Sequence, residues 1–166
     1  MQLRIITKKE VEIAELIKKE LCKGVLLRLA RSFMYKDELL TLFNGTNWEE
    51  TSGGIYFTSH MLSKKVQFSF TGYNEDSLSN IKESLMTKLS TELETLDNFA
   101  LQTIKEKLND KAKELELTDV MFDISGCYGT FALGYYAGES PAGELYLLVK
   151  FDDELNADKD LIYEVY

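Results

Sequence analysis

The stretch Ser125-Gly126-Cys127-Tyr128-Gly129 sets a thiol on a glycine-rich turn, the most enzyme-like arrangement in the chain. A cysteine attacks as its thiolate, so it needs a base or a positive field beside it. The sequence offers one histidine, His60, on a different segment. The plainer reading of Cys127 is a small, half-buried residue next to a turn. A second group gathers near the C-terminus. Asn156, Asp158 and Asp160 match the first three ligand positions of a calcium loop, but Leu161 stands where the sharp turn needs glycine, and the twelfth position falls beyond Tyr166. Asp152, Asp153 and Glu154 could join them in a loose cation site; the ordinary alternative is a solvated acidic turn. Glu139 and Glu144 flank another loop, without the spacing information a paired-carboxylate mechanism would require.

The missing motifs are more specific than those present. The chain holds no G-x-x-x-x-G-K or G-x-G-x-x-G phosphate loop, no H-E-x-x-H and no G-x-S-x-G. A single histidine excludes a multi-histidine metal site. No cofactor or metal is implied, and no motif is specific enough to name a family.

Charge carries more information. The net value is −9, spread unevenly: residues 1–36 hold nine Lys or Arg against four Glu, and residues 114–166 hold two lysines against twelve carboxylates. An acidic field of this kind repels nucleic-acid backbones and anionic lipid, and attracts basic proteins. The lysines and arginines of the first 36 residues are balanced in part by Glu12, Glu15 and Glu20, the pattern of a solvated helix surface. No apolar run approaches the roughly 20 residues that span a bilayer, and Met1-Gln2-Leu3-Arg4 does not open a signal peptide. Two cysteines in unlike settings give no disulfide framework. A cytoplasmic location, with no nucleic-acid or membrane partner, is the expectation.

The elements that must hold these groups can be read from periodicity. Residues 73–125 contain neither glycine nor proline, and apolar residues recur every three or four positions from Leu78 to Leu115. Continuous, this helix would reach roughly 60 Å, longer than a compact chain of this size is wide. A break at Asp97-Asn98, both natural N-caps, gives two helices, Asp76 to Leu96 and Phe99 to Glu116. Before them come N-terminal helices, with a capping box at Thr7 and Glu10 and a last turn from Glu38 to Phe43. Asn44 to Gly54 reads as a loop carrying Trp48, the only tryptophan, followed by a hairpin of Ile55–Ser59 and Val66–Thr71. His60 falls on the outer parity of the first of these strands. Beyond residue 118 the period becomes two, in four strands around Val120–Ile124, Phe131–Tyr135, Leu145–Phe151 and Leu161–Val165.

The fold class is therefore α+β in one domain: a helical part over 1–45, a β-hairpin over 54–72, two central amphipathic helices over 75–117 and a C-terminal antiparallel sheet over 119–166. The helices are expected to pack on one face of that sheet. The leading functional expectation is a non-enzymatic acidic binding protein, most sharply an inhibitor or immunity protein for a basic toxin nuclease. Its contact residues would be Asp152, Asp153, Glu154, Asp158 and Asp160, with Tyr128, Tyr146, Tyr163 and Trp48 as aromatic anchors. The alternatives are an enzyme using Cys127 with His60 or a carboxylate cluster, and an assembly protein. The latter would form homo-oligomers through the central helices or the strand 145–151.

Overall fold

Alternation of apolar and polar residues draws seven strands into a single sheet in a computed structural model of the chain. The structure describes residues 34–108 and 115–166, which belong to one unit, Phe33–Tyr166. A helix, Lys36–Leu42 (α1), leads into strands Gly45–Thr51 (β1), Gly54–Met61 (β2) and Lys64–Thr71 (β3). A short helix, Glu75–Leu78 (α2), and a long one, Glu83–Leu108 (α3), follow. Strands Leu117–Asp123 (β4), Phe131–Ser140 (β5), Gly143–Phe151 (β6) and Ala157–Val165 (β7) complete the chain. Strand order in the sheet is chain order, and all neighbours are antiparallel except β3 and β4, which run parallel.

This corrects the expected fold class in three places. First, the hairpin and the C-terminal strands are not separate parts. Gln67 to Thr71 pair in register with Asp119 to Asp123, so one mixed sheet runs through both. The pairing is parallel, which needs a long crossover, and residues 72–116 supply it. Secondly, the segment 44–54 is not a loop: it contains β1. Its strand pattern is hidden because Asn44 and Asn47 take positive φ (49° and 55°) and the pairing with β2 slips between Thr46 and Glu49. Thirdly, the pair of central helices packed on a C-terminal sheet is replaced by one long helix and two short ones beside a sheet that dominates the described chain. The N-terminal helices expected before residue 34, and the end of the second central helix at residues 109–114, lie outside the described residues.

Helix α3 runs 26 residues through Asp97-Asn98 without interruption, about 39 Å at the usual rise. The cap that was expected at Asp97 occurs instead at Asn74. Its Oδ1 accepts from the Ser77 amide at 2.8 Å, and its own amide donates to Ser77 Oγ at 2.8 Å. Asn98 donates to the Glu94 carbonyl within its own helix at 2.9 Å. Asp97 instead turns inward, among the buried residues Leu89, Leu93, Leu96, Ala100 and Ile104. Its carboxylate accepts the Tyr135 hydroxyl at 2.8 Å, with Lys64 Nζ at 3.8 Å. Tyr135 is fully buried, and that burial together with the Asp97 charge holds its hydroxyl protonated well above the usual range.

Phenylalanines tie the strands together on one face. Phe57 stacks on Phe68 (4.9 Å), Phe70 on Phe122 (4.8 Å) and Phe131 on Phe151 (5.1 Å), with Phe122 and Phe131 at 5.6 Å joining the series. The Phe70–Phe122 contact crosses the parallel junction, where such a pair adds about 0.5–1.5 kcal/mol beyond its area. The buried residues of α3 and these phenylalanines belong to one hydrophobic cluster. The hairpin between β2 and β3 turns on Leu62 and Ser63, both with positive φ (55° and 57°), as a two-residue turn of this twist demands. Among the described residues, no helix is long and apolar enough to cross a membrane.

Candidate functional site

The residues expected to form a contact surface do not all come together. Trp48, on β1, stacks at 5.9 Å on Phe57 with Lys36 Nζ above its ring at 5.3 Å. It covers the edge of the core at the far end of the sheet from β7. Tyr163 lies opposite Leu147, on the core parity of β7, and is exposed only because that strand is at the sheet edge. Tyr128 and Tyr146 are linked on the other face through Glu164, which accepts the Tyr128 hydroxyl and is the register partner of Tyr146.

The acidic segment is largely committed to its own neighbours. Asp152 caps a turn, accepting from the amides of Glu154 (2.9 Å) and Asn156 (2.8 Å). The Asn156 side chain and amide hold its carboxyl below the usual range. Asp153 pairs with Lys82 at 2.7 Å, and that lysine lowers its pKa in the same way. Asp158 is held by Lys150 at 3.2 Å, and Lys107 approaches Asp160 at 3.8 Å. Asp158 and Asp160 sit within β7 rather than in a loop. Of the five acids, Glu154 alone accepts no hydrogen bond or ion pair from the described residues. No group of three or more His, Cys, Asp or Glu among the described residues is arranged to hold a metal ion.

The thiol is equally ill-placed for catalysis. His60 pairs with Lys65 at the start of β3, whereas Cys127 follows β4 beyond the level of Thr71 at its end. Six residues of strand separate these levels, about 20 Å at the usual rise. Cys127 is exposed, and its thiol is pushed up by desolvation and then by Asp123, with Glu164 acting the same way. A nucleophile needs the opposite shift.

What the topology does assemble is a patch on the face of β5, β6 and β7 turned away from the phenylalanines. Tyr136 lies directly opposite Tyr146, which lies opposite Glu164. Their ring centroids are 5.6 Å apart for Tyr136–Tyr146 and 5.5 Å for Tyr146–Tyr166. Each hydroxyl is aimed at a carboxylate: Tyr136 at Glu139 (3.4 Å), Tyr146 at Glu144 (3.4 Å), and both Tyr128 (2.9 Å) and Tyr166 at Glu164. Tyr166 is placed by backbone bonds with Glu144, 3.0 Å in each direction. Gly143 makes this approach possible; with φ at 136°, any Cβ there would collide with the Tyr166 carbonyl. Burial and then the Glu164 hydrogen bond push the Tyr166 phenol up to about 12. Tyr128 is raised by the same two causes, and Tyr146 by desolvation, Glu144 and Asp119. All four phenols therefore remain protonated donors at neutral pH.

Three tyrosines and three glutamates thus share one end of one sheet face, the Tyr128 hydroxyl reaching Glu164 from the β4–β5 turn, and the ion pairs seen among the described residues all lie elsewhere. Sequence reasoning saw Glu139 and Glu144 only as acids flanking a loop, and missed Tyr136, Tyr166 and Glu164. The signal that could have found them is the Glu-x-Tyr alternation at 144–146 and 164–166, which sets acid and ring on the same face of each strand.

A mixed-sheet protein with an aromatic and acidic surface patch is the class this geometry defines. No family description, curated protein or solved structure matches the chain.

Proposed function

We propose that this chain is a non-enzymatic binding protein for a basic protein partner, in its sharpest form an inhibitor or immunity-type protein that occupies the cationic site of a toxin nuclease. The observation that carries the reading is the tyrosine–glutamate patch on β5, β6 and β7. Aromatic residues are favoured at interfaces because they bury large area at little entropic cost. Carboxylates beside them steer a cationic partner and select against anionic ones. The described residues hold nine lysines against 22 carboxylates, a strongly negative balance that would favour a cationic partner. The acids of 152–160 contribute to that field at long range, and all of them but Glu154 already hold short-range partners. The test is capture from a native lysate at low salt, release at high salt, then calorimetry on the purified captured protein with this chain. The reading expects a basic protein that binds one to one and weakens steeply with salt. Capture of nothing, or of a protein whose affinity is indifferent to salt, would contradict it.

A further inference from the structure

Glu139 and Glu144 are register partners across the β5–β6 hairpin, so two like charges stand directly opposite each other. Such a pair is unfavourable by itself, and both side chains are exposed without a cation bonded to either among the described residues. The lysine that lies on the same face of β6, Lys150, is already committed to Asp158 at 3.2 Å. Beside the glutamates, Tyr136 and Tyr166 are set at 60° and 86° to the Tyr146 ring rather than stacked on it. Tyr136 is 38% exposed and Tyr166 63%, so ring surface is open to a ligand. An opposed pair of carboxylates within a set of steeply tilted rings complements a flat cation with several donors. An ammonium would satisfy the charge alone. A guanidinium satisfies charge, stacking and the forked hydrogen bonds together, and it is more weakly hydrated.

We infer that the partner presents an arginine side chain to this patch, its guanidinium lying against the tyrosine rings and bridging Glu139 and Glu144. This rests on the basic-partner reading above and adds to it the position and the side chain recognised. The probe is octa-arginine, titrated into the full chain by calorimetry at about 20 mM salt, where exposed charges are weakly screened, with octa-lysine as the equal-charge comparison. Octa-arginine should bind at least about fivefold more tightly than octa-lysine, a margin supplied by stacking and forked bonds. Glu139→Gln with Glu144→Gln should weaken it about tenfold, the effect of losing charge-assisted bonds, and Tyr146→Leu should weaken it as well. Asp153→Asn with Glu154→Gln should change it little. The glutamine variants alter exposed side chains only, so an unfolding midpoint unchanged or raised by relief of the Glu139–Glu144 repulsion verifies their fold. Equal affinity for the two peptides, or weakening by the 153–154 changes and not by the 139–144 changes, would overturn the arginine assignment and leave the basic-partner reading standing. Failure of both peptides to bind would overturn both.

Discussion

Replacing Tyr135 by phenylalanine should cost more stability than any other single loss of a hydroxyl in the described chain. Asp97 is a carboxylate in the middle of a helix, with its side chain 10% exposed, and the Tyr135 hydroxyl at 2.8 Å is its close donor. Lys64 stands farther off at 3.8 Å and is a third exposed, so its attraction is screened and small. Hydrogen bonds to charged groups are worth about 1.5–3 kcal/mol, and leaving the acceptor buried without one carries most of that cost. A loss of about 2 kcal/mol is expected from these terms. With a urea dependence of about 2 kcal/mol per molar for a chain of this size, the midpoint should fall by about 1 M. Trp48 fluorescence is the probe, since that ring stacks on Phe57 in the same sheet. Tyr136→Phe is the control; its hydroxyl is near the surface and the midpoint should stay in place. A double-mutant cycle with Asp97→Asn should show that the two losses are coupled. If Tyr135→Phe moved the midpoint no more than the control does, the buried Asp97–Tyr135 hydrogen bond would not hold α3 to the sheet as this reasoning requires.

Three further outcomes follow from the same geometry. Asn98→Ala should leave stability within about 0.5 kcal/mol of the parent by urea unfolding, because the residue lies inside a continuous helix; a loss nearer 1 kcal/mol or more would restore a cap, and hence a break, at that point. Asp119→Asn should stabilise the protein at neutral pH. Burial raises the Asp119 pKa in the folded state, so the native state holds its proton more tightly and the parent loses stability as pH rises from the ordinary carboxylate range through the raised value. The gain should therefore vanish below about pH 4, and a gain that persisted there in unfolding curves would refute the cause. Gly143→Ala should speed amide hydrogen exchange at Glu144 and Tyr166, whose mutual bonds require the close approach that a Cβ blocks; unchanged exchange would show that the strand ends do not depend on it.

Local order was legible where one residue's surroundings depend on its near neighbours in sequence. The alternation of Val66, Phe68 and Phe70 marked a strand with the correct inward face, and that of Leu145, Leu147 and Val149 marked one whose Leu147 and Val149 are buried with Leu145 half-buried. The apolar stripe of α3 was equally plain. The break at Asp97-Asn98 was misplaced because a polar residue in a helical pattern reads as a cap, while its true partner, Tyr135, lies 38 residues away. The strand β1 was hidden by asparagines in left-handed conformations and by a bulge, both of which erase a period of two. The parallel β3–β4 pairing has no local signature at all, since it depends on where the crossover returns. For the site the same distinction holds. Acidity near the C-terminus was visible, but not which acids were already neutralised: Lys82 reaches Asp153 from 71 residues away. Glu139, Glu144, Tyr146 and Glu164 become one patch only when the register of three strands is known.

The most direct test of the binding surface is an NMR titration of the chain, its tyrosine rings labelled, with octa-arginine at low salt. The ring signals of Tyr136, Tyr146 and Tyr166 should move together and saturate, while those of Tyr56 and Tyr73, on strands and loops at the other end of the sheet, stay in place. Saturating shifts confined to backbone amides of residues 152–160, with the three rings unmoved, would contradict the account.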